Sequence, residues 1–164
     1  MSDRFVMKVS GVGLVSTNDA YRPTYRGRKL FYRRSRELIK FQEEFGAKLA
    51  EYREPLQVFV SQKKSEMPHL GLILKLILVF PRDVYFYKRR PDDLRPHDAS
   101  NFIKAIEDQV SKALGVDDKY NVQVSAVKCY SEEAEAPEVH IILECADYAD
   151  YCAPKIMEYY GLEG

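Results

Sequence analysis

The chain has 164 residues and a mass of 19.0 kDa, with 46% hydrophobic, 30% charged and 12% aromatic residues, a size suited to one domain with its own core. No apolar run approaches the roughly eighteen residues of a membrane-spanning helix, and Asp3, Arg4 and Lys8 interrupt any stretch that could serve as a signal peptide. Cys129, Cys145 and Cys152 are unevenly spaced and form no CxxC pair, which argues against a disulfide scaffold or a zinc knuckle and fits a reducing cytoplasm.

Net charge is zero, yet the charges are not mixed evenly. Residues 22–40 hold eight Arg or Lys against Glu37, and residues 131–164 hold nine Asp or Glu against Lys155. A zero mean therefore conceals a basic surface and an acidic tail, so nucleic-acid binding is not excluded. The plainer alternative is a solvated helix start and a solubilising end.

In chain order, Val6 to Ser16 reads as a strand interrupted by Gly11 and Gly13, and 16–29 as a turn-rich loop with Asn18, Pro23 and Gly27. Leu38, Phe41, Phe45, Leu49 and Tyr52 recur at helical spacing, with Ser35 as N-cap and Pro55 as the stop. Leu56 to Val60 has the composition of a short strand. Gly71 to Phe80, bounded by Pro68 and Pro81, reads as a buried strand. A charged, aromatic loop fills 81–97, and a helix over 100–114 ends at Gly115. Strands follow at 121–130 and 138–145, then a short helix after Pro154. The order β-α-β-β-α-β-β predicts an α+β domain over 1–146, with two main helices on one face of a mixed sheet, and an acidic tail over 147–164.

The chemistry-bearing stretch runs from Asp98 to Asp118. On a helical wheel Phe102, Ile103, Ile106 and Val110 share one face, while Asn101, Lys104 and Asp108 share the other. An Asp lies just upstream and the pair Asp117–Asp118 just downstream. Clustered carboxylates suit hard cations such as Mg²⁺, and a lysine among them can balance phosphate charge. Asp98 as a helix-entry residue and Asp117–Asp118 as a turn are the purely structural alternatives.

Asp98-x-Ser100-Asn101-x-x-Lys104-x-x-x-Asp108, followed by Gly115-x-Asp117-Asp118 before a strand, resembles the core signature of the RusA family of Holliday junction resolvases. Upstream, Ser16-Thr-Asn18-x-x-Tyr21 and the basic Arg26-Gly-Arg28-Lys29 are similar to that family's N-terminal loop and basic hairpin. The resemblance implies a homodimeric, Mg²⁺-dependent endonuclease, with Mn²⁺ as a substitute and no nucleotide cofactor, that nicks four-way DNA junctions symmetrically. It assigns catalysis to Asp98, Lys104 and Asp118, the last in preference to Asp117. Asp98, Asp117, Asp118, Asp108 and Ser100 are the implied metal ligands, with Asn101 in support. Asn18, Tyr21, Arg22, Arg26, Arg28, Lys29, Arg33 and Arg34 would meet DNA, joined by Lys88, Arg89 and Arg90 beside the aromatic Tyr85, Phe86 and Tyr87. Ser100 departs from the pattern, since many members carry a second Asp there, and Asp108 could supply the missing charge.

A straight helix over 100–114 separates its ends by roughly 20 Å, whereas ligands sharing one Mg²⁺ each bring an oxygen to about 2.1 Å. Asp98 and Asp118 of one chain would then not meet, unless the helix is shorter or bent. Two such helices antiparallel across a twofold axis would instead place Asp98 of one subunit near Asp118 of its mate. Two other readings stand beside the resolvase: a non-catalytic junction- or DNA-binding module on the same fold, and a Mg²⁺-dependent nuclease for another branched or RNA substrate.

Overall fold

In a computed structural model, which describes residues 4–87, 89–94 and 99–161, the chain forms the mixed α+β architecture expected from its pattern. Strand β1 (Arg4–Ser10) leads through a loop to a short helix α1 (Thr17–Ala20) and to strands β2 (Tyr21–Arg26) and β3 (Lys29–Arg34). Helices α2 (Arg36–Leu49) and α3 (Arg53–Glu66) precede the long strand β4 (Leu70–Pro81). A one-turn helix α4 (Arg82–Tyr85) and the small strands β5 (Phe86–Tyr87) and β6 (Arg90–Leu94) follow. Helix α5 (Ser100–Leu114), strands β7 (Asn121–Ser131) and β8 (Glu138–Asp147), and helix α6 (Ala153–Tyr159) complete the order.

The main sheet has the order β1-β8-β4-β7, antiparallel except for the parallel β4–β7 pair. A parallel pair needs a long crossover, and α5 lies within it. This connection places the Lys104 helix beside the sheet. Along β4, Leu72, Leu74, Leu76, Leu78 and Phe80 are buried on one face. They pack with Phe41, Phe45 and Leu49 of α2, Leu56 of α3, and Phe102, Ile106 and Val110 of α5. The other sheet face is half-open and polar in part, with ion pairs Lys8–Glu138 at 2.9 Å and Lys75–Glu144 at 2.7 Å.

The two glycine-bearing segments near the N-terminus fold differently from their pattern. The first strand ends at Ser10 because Gly11 takes φ +69° and donates its N–H to the Pro137 carbonyl at 3.1 Å. The expected loop over 16–29 contains α1 and most of a two-stranded ribbon. Gly27, at φ +62°, opens a two-residue turn between the paired Arg26 and Lys29, a geometry that matches the twist of a hairpin.

Leu56 to Val60 is helical, not a strand, so the main helices number three. Pro55 sits in the first turn of α3, where the missing N–H would have had no partner anyway. Leu56, Val60 and Lys63 then fall on one buried face. Ser35 caps α2 as expected, its Oγ accepting from the Leu38 N–H at 3.0 Å.

Candidate active site

Helix α5 closes with Gly115 in the left-handed region, φ 68° and ψ 26°. The Gly115 N–H donates to the Lys112 carbonyl and the Val116 N–H to the Ser111 carbonyl, at 3.3 and 3.2 Å. This paired cap turns the chain sharply back. Three residues later a 3-10 turn, Asp118–Tyr120, feeds β7. Asp118 is thereby carried back alongside the helix it has just left.

Lys104 is the hub. Its Nζ lies 2.5 Å from Asp118 Oδ2, 2.9 Å from Asp108 Oδ1 and 3.8 Å from Glu107 Oε2. Hydrogen bonds that Lys104 donates to Asp118 and then to Asp108 hold its ammonium well above the usual lysine range, against a smaller opposing effect of burial. The Glu107 side chain is only 13% exposed, and its Oε1 accepts from Asn121 Nδ2 at 2.6 Å. Three carboxylates thus lie within 4 Å of one ammonium, an excess of negative charge around Lys104. Hard oxygen donors of this kind fit Mg²⁺ or Mn²⁺.

The Lys104–Asp118 contact corrects the helix-length argument. It placed Asp118 at the far end of a straight helix, but the glycine cap folds Asp118 back to Lys104, one turn inside α5, within a single subunit. Asp98, and with it the expected meeting of Asp98 and Asp118 within one subunit or across two, lies outside the described residues.

The other expected site residues are distributed as follows. Asp117 caps the 3-10 turn, its Oδ1 accepting from the Lys119 N–H at 3.0 Å, and this backbone hydrogen bond is the first cause of its lowered pKa. Ser100 is the first residue of α5, with Ala99 at the cap position. Asn101 sits half-buried in the first turn. Glu107 and Asn121 were not among the expected site residues. Glu107 is three positions from Lys104 and could have been found by that spacing, while nothing local marks Asn121.

Around this cluster, Tyr21, Arg22, Arg26, Arg28, Lys29, Arg33 and Arg34 all stand on the β2–β3 ribbon and are exposed. Arg34 also donates to Gln42 of α2 at 3.1 Å. The ribbon base is tied by Ser35 N–H to the Ala20 carbonyl at 2.8 Å. A small cleft there is lined by Ala20, Tyr21, Leu38, Gln42, Lys104 and Asp108, so ribbon and cluster adjoin. Asn18 belongs to α1, its side chain outside the description. Arg89 is exposed in the β5–β6 turn; Lys88 and the Arg90 side chain lie outside the described residues. Tyr85 and Phe86 are taken up by packing: both rings contact Tyr130, at 5.5 and 4.9 Å, and Arg82 lies over Phe86 at 5.6 Å.

Among the described residues no group of three or more His, Cys, Asp or Glu is disposed to hold a metal by itself. No curated protein matches the chain. The family model for endodeoxyribonuclease RusA, however, matches residues 20–144, well over half of the chain and the whole span from the ribbon through the Lys104 cluster to β8. On that match the chain belongs to the RusA endodeoxyribonuclease family.

Proposed function

We propose that this protein is a Mg²⁺-dependent resolvase that cuts four-way DNA junctions by paired, symmetric nicks, acting as a homodimer. The observation that carries this reading is Lys104 held between Asp118 and Asp108 at the foot of a basic ribbon. Asp118 and Asp108, together with Asp98 two positions before α5, would hold the metal, with Glu107 kept by Asn121 as the buried wall beside them. When bound, the metal supplies an activated water and stabilises charge on the reacting phosphate.

The residues of the chain divide the remaining work. Lys104, fixed as a cation by its carboxylates, is placed to neutralise charge that builds on the phosphate oxygens. Asn121 fixes Glu107, which keeps the wall of the site from rotating away. The cations of the ribbon hold the phosphate backbone. A twofold dimer would present two such sites to two equivalent strands.

A labelled mobile four-way junction with Mg²⁺, beside matched linear duplex and the Asp98→Asn protein, tests the proposal. Paired symmetric nicks in the junction alone, lost in the variant, support it. Junction binding without cutting would make the Asp-to-Ser departure at Ser100 decisive and leave a binding module. Cutting of duplex or RNA as fast as the junction would assign another substrate.

A further inference from the structure

The register of the β2–β3 ribbon sorts its side chains onto two faces of different chemistry. Arg22 pairs with Arg33 and Arg26 with Lys29, and these four cations lie on one face with Thr24 and Phe31. Tyr21 with its partner Arg34, Pro23 with its partner Tyr32, and Tyr25 with its partner Leu30 lie on the opposite face, Arg34 at the ribbon base donating to Gln42 at 3.1 Å. That second face is open to solvent: Tyr25 is 73% exposed, Tyr32 67%, Tyr21 47% and Leu30 46%. Its inner end is Tyr21, in the cleft shared with Lys104 and Asp108. From Tyr21 to Tyr25 an extended strand covers about 13 Å, the length of about four bases at stacked spacing.

We infer that the aromatic face of this ribbon is a stacking platform for unpaired bases of the branched substrate, running outward from the cutting site. The inference rests on the branched-DNA reading above and names how that DNA is engaged. Phosphates close to one face would meet the four cations, while splayed bases would lie on tyrosine rings, which accept any base because every base has a π-face. Tyr85 and Phe86, two of the three aromatic residues beside the second basic cluster, are taken up by Tyr130 and Arg82.

The experiment uses the full-length protein without divalent metal, a four-way junction and a single strand, each with 2-aminopurine at the branch-equivalent position. Tyr25→Ala/Tyr32→Ala is compared with Tyr25→Phe/Tyr32→Phe and with Arg22→Ala/Arg33→Ala. The alanine pair should lose about tenfold in affinity per ring, lose the change in 2-aminopurine fluorescence, and keep the salt dependence of the wild type. The phenylalanine pair should bind as wild type. The arginine variant should instead flatten the salt dependence by about one unit per cation.

Wild-type affinity and fluorescence in the alanine pair would overturn the inference. So would a loss of affinity that tracks a change in sedimentation, which would make the face a protein interface. Equal wild-type affinity for junction and duplex would sink the branched-DNA reading alone, because stacking is still read on the single strand.

Discussion

Lys104 Nζ and Asp118 Oδ2 lie 2.5 Å apart although fourteen positions separate the residues, because the glycine-capped end of α5 turns the chain back along its own helix. The pair joins the middle of the motif to its end within one subunit. Asp118→Asn should abolish Mg²⁺-dependent cutting yet preserve or strengthen junction binding, since it removes negative charge facing phosphates. Lys104→Ala should cut about 10²- to 10³-fold more slowly. Single-turnover cleavage beside a gel-shift titration checks both. An equal loss of binding in Asp118→Asn would count against its place in the metal site.

Glu107 and Asn121 form a second, more buried tie between α5 and the start of β7. Asn121→Ala leaves a half-buried carboxylate without its donor, at a cost of about 1–3 kcal/mol. Cleavage should fall while junction affinity stays within twofold or so of wild type, and Asn121→Asp should be worse than Asn121→Ala because it sets two carboxylates together. Rates at saturating Mg²⁺ read against urea unfolding separate positioning from stability. Stability loss with wild-type cleavage would make the contact purely structural.

Gly71 lies where β4 meets β7, just before the register between them shifts at Leu72/Ile73. A Cβ added there would come 2.7 Å from Val122 Cγ1 and 3.3 Å from Tyr148 Cβ. Val122 is β-branched and has little freedom to yield. Gly71→Ala should therefore destabilise the fold by about 1–3 kcal/mol. Thermal unfolding measures it, and an unchanged midpoint would show that the β4–β7 contact relaxes freely.

Burial raises the Cys145 thiol to about 11, while Cys152 is exposed. A thiol reagent at pH 8 should modify Cys152 first and Cys145 last. The raised value also sets a pH dependence. The folded protein keeps the Cys145 proton where an unfolded chain releases it, so this contribution to stability is complete below about pH 8.5. It declines as pH rises toward 11. Cys145→Ala should remove that alkaline slope in urea titrations between pH 8 and 11.

The elements legible in the sequence are those whose signal is local. The stripe from Leu38 to Leu49 with its Ser35 cap, the apolar run of β4, and α5 with its Gly115 stop each state their own structure through spacing and backbone preference. The Asp98-to-Asp118 motif likewise pointed to the RusA family without any coordinates, and the family match agrees with it. Leu56 to Val60 was misleading because five apolar and polar residues fit either period, and only burial of Leu56 and Val60 together decides for a helix.

What the tertiary structure alone decided depends on contacts between residues distant in the chain. The direction in which Asp118 returns is set by the Gly115 cap and the parallel pairing of β7 with β4. Asn121 reaches Glu107 only because that crossover lays the start of β7 against α5. The ribbon owes its two faces to register: a slip of one residue would set Tyr25 and Tyr32 among the cations now paired on the other face, and composition is blind to register. Residue types name the chemistry available to this chain, but which groups share a few ångströms follows from how strands pair and where the backbone reverses.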